Sequence, residues 1–180
     1  MANSRKPPSV SLPADLRGKR LVVGLSGGVD SVVLLHLLLD LAPRYGYTLS
    51  AVHVHHGLSS NADTWARFCR KLCRTWGVPL AVRKVRVRKT GTGVEAAARE
   101  ARRAVFASLP ADAIVLAHHL DDQAETVLLN LLRGAGLRGA AAMPAAGRLA
   151  AKALLRPLLG ARRREIVAYA RERHLEWIED

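Results

Sequence analysis

Three short stretches of this sequence hold residue types that could do chemistry together: Ser26-Gly27-Gly28-Val29-Asp30-Ser31, His53-Val54-His55-His56, and His118-His119-Leu120-Asp121-Asp122. The first follows the apolar run Leu21–Leu25 and precedes the apolar pattern Val32, Val33, Leu34, Leu35, Leu37, Leu38, Leu39. A buried strand that breaks into glycines and re-forms as a helix offers unpaired backbone N–H groups and a positive dipole end to an anion. Gly27 and Gly28 allow close backbone approach and positive φ, Ser26 and Ser31 add hydroxyl donors, and Asp30 is the carboxylate to hold a magnesium ion against phosphates. The loop is not a Walker A loop, because no lysine lies between Lys19 and Lys71, and G-x-G-x-x-G is also absent. The other two stretches supply imidazoles and carboxylates, the groups of acid–base and metal chemistry.

The elements that position these stretches alternate between strand and helix patterns. The strand expectations are Leu21–Leu25, Thr48–Val54, Leu80–Val87, Asp112–Ala117 and Lys152–Leu158. Helices are expected up to about Leu41, closed by Ala42-Pro43, then over Asn61–Trp76 with Asn61 or Asp63 as cap. Three more follow: one opened by a Thr92–Glu95 capping box and ending near Leu109, an apolar one ending at Leu132, and a basic one over Arg162–Arg173. Leu80 and Val82 are out of phase with Val85 and Val87, which predicts a bulge or an edge position for the third strand. Repeated βαβ units predict an α/β fold, a doubly wound, mostly parallel sheet with helices on both faces. In such a sheet ligands sit beyond the carboxyl ends of the strands, where strand order reverses, so the three polar stretches are expected to converge on one rim.

Each residue also has a structural reading. Asp121 and Asp122 at a helix start are favoured as caps and dipole partners, His53 suits a hydrogen-bonded core position, and His36 sits in an apolar helix face. Cys69 and Cys73, the two cysteines, lie four apart on one helix face and read as small core residues, with neither a disulfide framework nor a C-x-x-C pair. The chain has 180 residues and a formal net charge of +13, which makes nucleic acid the first partner to consider. Met1–Pro13 is polar and proline-bearing, without the apolar core of a signal peptide, and no membrane-length apolar run occurs. A cytoplasmic protein that binds no membrane is expected, with residues 1–18 a disordered lead-in and 19–180 one catalytic domain.

The order of motifs is specific. Ser26–Ser31 resembles the SGGxDS pyrophosphate loop of the N-type ATP pyrophosphatases. It is followed by His53-Val54-His55-His56-Gly57-Leu58, Glu95-Ala96-Ala97-Ala98-Arg99 with Arg102, and His118-His119-Leu120-Asp121-Asp122-Gln123-Ala124-Glu125-Thr126. Arg133-Gly134, Arg156-Pro157-Leu158 and Trp177-Ile178-Glu179-Asp180 complete the series. Together these resemble the N-terminal catalytic domain of the bacterial tRNA(Ile)-lysidine synthetases, over about Lys19 to Asp180. Arg103 stands where that family often carries tyrosine.

The resemblance implies a Rossmann-like fold of the adenine-nucleotide alpha-hydrolase type. It implies ATP and Mg2+ as cofactors, and as partners free lysine and an isoleucine tRNA with a CAU anticodon. The implied reaction adenylates the wobble cytidine at its C2 oxygen and then displaces AMP with lysine. It places ATP on Ser26, Gly27, Gly28, Val29, Asp30 and Ser31, with adenine at Val54, His55 and His56, and it assigns the metal to Asp30. His118, His119, Asp121 and Asp122 would line the reaction centre beside Asp30, a histidine or carboxylate taking the lysine proton, and Arg99, Arg102 and Arg133 would contact phosphate or RNA. The family's C-terminal tRNA-binding domains are expected to be absent from this chain. Oligomeric state stays open, with a homodimer among the options. The competing readings are a tRNA thiolase, a two-metal hydrolase and a basic RNA-binding module without activity.

Overall fold

In this computed structural model, residues 7–86, 93–132, 134 and 142–179 are described. Strand β1 (Arg20–Gly24) is the centre of the sheet. Its apolar residues are buried on both sides, Leu21 and Val23 in one core and Val22 in the other, which is why the run does not alternate with polar residues. Five further strands complete the sheet: β2 (Thr48–His55), β3 (Leu80–Lys84), β4 (Ala113–Val115), β5 (Ala146–Leu149) and β6 (Lys152–Leu155). Their order is β3-β2-β1-β4-β6-β5, parallel throughout except for the β5–β6 hairpin. The chain steps from β1 outward to β3, then crosses back to β4 on the other side of β1. Strand order therefore reverses between β1 and β4, and that is where a crevice opens in this topology.

The larger core lies between the sheet and helices α1 (Val29–Tyr45), α2 (Ala62–Thr75) and the helix at the chain's end, here α5 (Arg163–Glu172). Helix α1 is apolar nearly all round because it is enclosed, with Val32, Val33, Leu34, Leu35 and Leu38 inaccessible to solvent. Its His36 is tied to α5 by Nδ1 at 3.0 Å from the Tyr169 hydroxyl, in keeping with a structural role. On the opposite face, Phe106 of α3 (Val94–Ser108) and Leu109 pack on Val22, Val52, Ile114 and Leu154. Helix α4 (Leu120–Leu132) follows β4 and buries none of its residues, leaving Leu128, Leu129, Leu131 and Leu132 exposed among the described residues. No helix among the described residues is long and apolar enough to cross a membrane.

Several expectations are corrected in detail. Pro43 does not close α1, which runs on to Tyr45 and ends at Gly46 in the left-handed region; proline in a last turn forfeits one backbone hydrogen bond without forcing an exit. Strand β3 is an edge strand, which accounts for its imperfect alternation, and it ends at Lys84. The antiparallel strand β5, Ala-Gly-Arg-Leu, was not anticipated, because four residues without an apolar alternation carry no strand signal. Residues 7–18, read from composition as a disordered lead-in, lie against the body. Val10 and Leu12 pack on the core, Leu16 is buried, and Ser11 N–H donates to the Pro157 carbonyl at 3.0 Å. Prolines favour an extended path but do not prevent intervening apolar residues from finding cover. Helix α3 is preceded by Gly93 at its N-cap; Thr92, like Arg133, lies outside the described residues.

Candidate active site

The glycine turn after β1 is organised by its own hydroxyls. The Ser31 hydroxyl donates to the Gly28 carbonyl at 2.9 Å and accepts from the backbone N–H groups of Ser26 and Gly27, both at 3.2 Å. The Ser26 hydroxyl lies 3.0 Å from that of Ser31 and accepts the Gly28 N–H at 3.3 Å. Ser31 is itself buried, so it holds the turn's shape from within, while Ser26 stands at the exposed side with the Gly28 amide. Gly27 adopts φ +101°, a conformation that L side chains rarely take, and Gly28 is the extended N-cap of α1. The first-turn N–H groups of Val29, Asp30 and Ser31 precede the first intrahelical donor, Val32 N–H to the Gly28 carbonyl at 3.1 Å.

Asp30 sits in this first turn, where the helix dipole favours a carboxylate. Its Oδ1 is buried and has no hydrogen-bond partner among the described residues. Burial pushes the Asp30 carboxyl above its ordinary range, and the nearby charges of His119 and Arg163 partly oppose that. His119 brings Nε2 to 3.7 Å from Asp30 Oδ1, so residues of the β1 and β4 ends meet as the strand-order reversal predicts.

His119 also caps α4. Its N–H donates to Asp122 Oδ2 at 2.8 Å, and its Nδ1 accepts the Asp122 N–H at 3.4 Å, a reciprocal capping box with histidine in the usual Ser/Thr place. With Nδ1 accepting, a ring proton is assigned to Nε2, the nitrogen near Asp30. His118 is arranged similarly: its Nδ1 accepts from Arg156 Nε at 3.2 Å, which leaves Nε2–H as a donor. Burial, with Arg156 nearby, lowers the His118 pKa and keeps the ring neutral. Asp121 lies 3.8 Å by Oδ2 from His119 Nδ1 and also reaches α5. Its Oδ2 accepts the Arg163 N–H at 2.8 Å and so caps α5, and this bond holds its carboxyl below the ordinary range.

At the end of β2 the histidines divide. His53 donates from Nδ1 to the Leu25 carbonyl at 2.8 Å and lies 3.5 Å from Cys69 Sγ, a buried structural arrangement. His55 places Nε2 at 3.1 Å from Asp63 Oδ1, which also accepts from Lys84 at 3.3 Å. His56, just past the strand, keeps a buried Nδ1 with no partner among the described residues. Burial lowers its pKa, assisted by Arg102 of α3, whose charge also acts on His118. Arg99 lies close enough to Arg102 to lower its pKa, behind the larger effect of desolvation.

The structure thus brings together Asp30, His119 and the glycine turn, with Asp122 behind His119 and Arg102 near His56 and His118. It ties His55 and Ser31 into local scaffolding, and Asp121 caps α5 from beside His119. Sequence reasoning missed two arginines of this region. Arg156 was visible only as part of a matched motif, and Arg163 lay hidden within the run Arg162-Arg163-Arg164, with no local signal that α5 would dock beside Asp30.

The PP-loop domain family profile matches residues 7–180. The chain is similar to a tRNA(Ile)-lysidine synthase of Azoarcus sp. (strain BH72), 58% identical across 89% of this chain and 37% of that protein. It is likewise similar to the tRNA(Ile)-lysidine synthase of Neisseria gonorrhoeae, 52% identical across 93% of this chain and 38% of the relative. The chain spans about two-fifths of the length of these curated relatives. Among solved structures, the U34-tRNA thiolase NcsA from Methanococcus maripaludis superposes with a TM-score of 0.72 at 19% identity, covering 91% of this chain and 60% of that one. An NH3-dependent NAD synthetase from Campylobacter jejuni gives 0.54 at 17% identity, over 88% of this chain and 66% of that one. These two likenesses establish the fold. With the glycine turn at the sheet's reversal point and a family match over nearly its whole length, the chain belongs to the PP-loop domain family.

Proposed function

We propose that this chain is the ATP-using catalytic part of a lysidine-forming tRNA ligase, acting on an isoleucine tRNA with a CAU anticodon. The observation that carries the reading is the meeting of the Ser26–Ser31 turn and Asp30 with His119 across the β1–β4 crevice, in a chain more than half identical to named lysidine synthases. In the reaction, the C2 oxygen of the wobble cytidine attacks the α-phosphorus of ATP and the bond to the β-phosphate oxygen breaks, releasing pyrophosphate. The amine of lysine, having given up a proton, then attacks C2, and AMP leaves with the oxygen.

The residues suit the charge that this chemistry develops. First-turn N–H groups and the Gly28 amide receive the leaving pyrophosphate. His118, kept neutral by burial and accepting from Arg156 at Nδ1, is a hydrogen-bond donor at Nε2, so it suits the phosphate or adenylate oxygens better than the lysine proton. Magnesium fits Asp30, whose Oδ1 is a buried carboxylate oxygen without a hydrogen-bond partner among the described residues. Magnesium is commonly held by one or two carboxylates together with substrate phosphates, and it would supply charge neutralisation for the transferring phosphates. The unpaired Nδ1 of His56 supports an adenine contact there, and Arg102 supplies positive charge between the β2 and β4 ends. The basic excess of the chain suits an RNA partner. A thiolase reading lacks cluster ligands: the two cysteines are buried and four residues apart, and burial pushes the Cys69 thiol up to about 12.

The test is one reaction of the protein with labelled ATP, Mg2+, lysine and a CAU-anticodon isoleucine tRNA transcript, with nucleotide products and RNA-bound lysine both counted. AMP together with lysine in the tRNA is the expected result. AMP without lysine transfer would assign a different acceptor. ATP binding with no AMP would favour an RNA-binding module without activity.

A further inference from the structure

We infer that the segment Leu175–Glu179 is a positioning strap for the pyrophosphate loop, with Ile178 as its working residue. The inference rests on the reading that the Ser26–Ser31 turn receives a pyrophosphate group. After α5 the chain turns at His174, a non-glycine residue with φ +51°, and Leu175 N–H donates to the Ala170 carbonyl at 2.9 Å. Leu175 and Trp177 pack on the main core, which fixes the strap's path. Ile178 N–H then donates to the Gly27 carbonyl at 2.9 Å. Its side chain occupies the space beside Gly27, where Cδ1 would lie 2.6 Å from a Cβ added to that glycine; Cys69 Sγ would lie 3.4 Å from the same point.

Gly27 is therefore held from three sides: by the Ser31 hydroxyl on its N–H, by Cys69 of α2, and by Ile178 on its carbonyl and α-carbon. The planar trans peptide makes this consequential. Fixing the Gly27 carbonyl toward the strap points the N–H of Gly28 the opposite way, away from the strap. That amide donates to the Ser26 hydroxyl at 3.3 Å on the exposed side of the turn. The hydrogen bond from Ile178 thus aims the Gly28 N–H together with the Ser26 hydroxyl it holds at the anion-facing side of the loop, and the isoleucine side chain gives Gly27 a second reason to lack a side chain besides its φ.

Ile178→Pro removes the N–H and keeps an apolar side chain; Ile178→Ala keeps the N–H and empties the space; Ile178→Val is the conservative control. Folding of each is checked by near-UV circular dichroism. In Ile178→Pro, affinity for inorganic pyrophosphate and ATP is expected to fall about tenfold, in line with the loss of one hydrogen bond and the donor it aims, while adenosine binding holds. Amide exchange at Gly27 and Gly28 in the ligand-free protein is expected to quicken by a similar factor. Ile178→Ala is expected to show the same pattern more weakly, and Ile178→Val none of it. Unchanged pyrophosphate affinity with unchanged exchange would overturn the strap's role, as would parallel losses of pyrophosphate and adenosine, which mark general loosening. If the unaltered protein bound no ATP, the functional reading would fall, while the exchange rates would still decide whether the strap orders the loop.

Discussion

The ends of β2 and β4 carry nearly the same residues and do different work. Each presents consecutive histidines at the carboxyl edge of a parallel strand, near a carboxylate. At β2, His53 and His55 are still within the strand, so the pleat points both toward α2. There His53 binds the Leu25 carbonyl and His55 binds Asp63, whereas His56, past the strand, keeps a buried Nδ1 with no partner among the described residues. At β4 the strand stops at Val115, and His118 and His119 fall in the turn before α4. Freed from the pleat, His119 caps the helix with one nitrogen and approaches Asp30 with the other. The lesson is that a histidine's distance past the strand's last ladder bond, rather than its membership of a motif, decides whether it packs or reaches the crevice.

The strongest way to break this comparison is at Asp30, the group His119 approaches. Asp30→Ala is expected to lower AMP formation by about 10²–10³-fold, the scale for losing a preorganised electrostatic contact, with circular dichroism unchanged. Wild-type turnover would remove Asp30 from the chemistry.

The next test crosses the two strand ends. His119→Ala is expected to reduce AMP formation about 10²-fold. His53→Ala leaves the Leu25 carbonyl unpaired beside Cys69; it is expected to lower the Tm by about 4–8 °C while leaving turnover per folded molecule nearly unchanged. A comparable loss of turnover in folded His53→Ala would erase the distinction between the two ends.

A smaller effect sharpens the electrostatics. Because burial raises the Asp30 pKa, the folded state keeps that proton over a pH window where the unfolded chain has lost it. Stability therefore falls as pH rises through that window and stays reduced above it. Asp30→Asn is expected to raise the Tm by about 2 °C at neutral pH, and by nothing at pH values below the ordinary carboxylate range, where both states are protonated. A lowered Tm at neutral pH would mean that His119 and Arg163 outweigh the burial. Asp121→Ala, which uncaps α5, is expected to cost about 1 kcal/mol, read as a Tm lower by about 2–4 °C.

Much of the fold was legible because a buried parallel strand and an enclosed helix leave strong apolar signatures. Leu21–Leu25 and Val32–Leu39 could hardly be anything else. Strand β5 was not legible, since a four-residue edge strand is held by its pairing with β6 and not by its composition. In the candidate site, Asp30 and the glycine turn stood out by type and spacing. Asp121 and Asp122 looked alike on paper, adjacent and acidic at one helix start. Asp121 caps α5 while staying 3.8 Å from His119 Nδ1, and Asp122 caps α4 by accepting His119's own N–H, a division that follows from where α5 docks.

By itself the sequence determined the α/β alternation, the glycine turn after the first strand, and the family, because these depend on local periodicity, on glycine's conformational range and on residues in fixed order. Only the tertiary structure decided which histidines are spent on packing, that Arg156 and Arg163 join the site, and that Ile178, some 150 residues from Gly27, lies against it. Such pairings are set by how strands order themselves in the sheet and by how α5 and the strap pack back onto α1. A hydrogen bond between distant positions leaves no trace in the residues that flank either one.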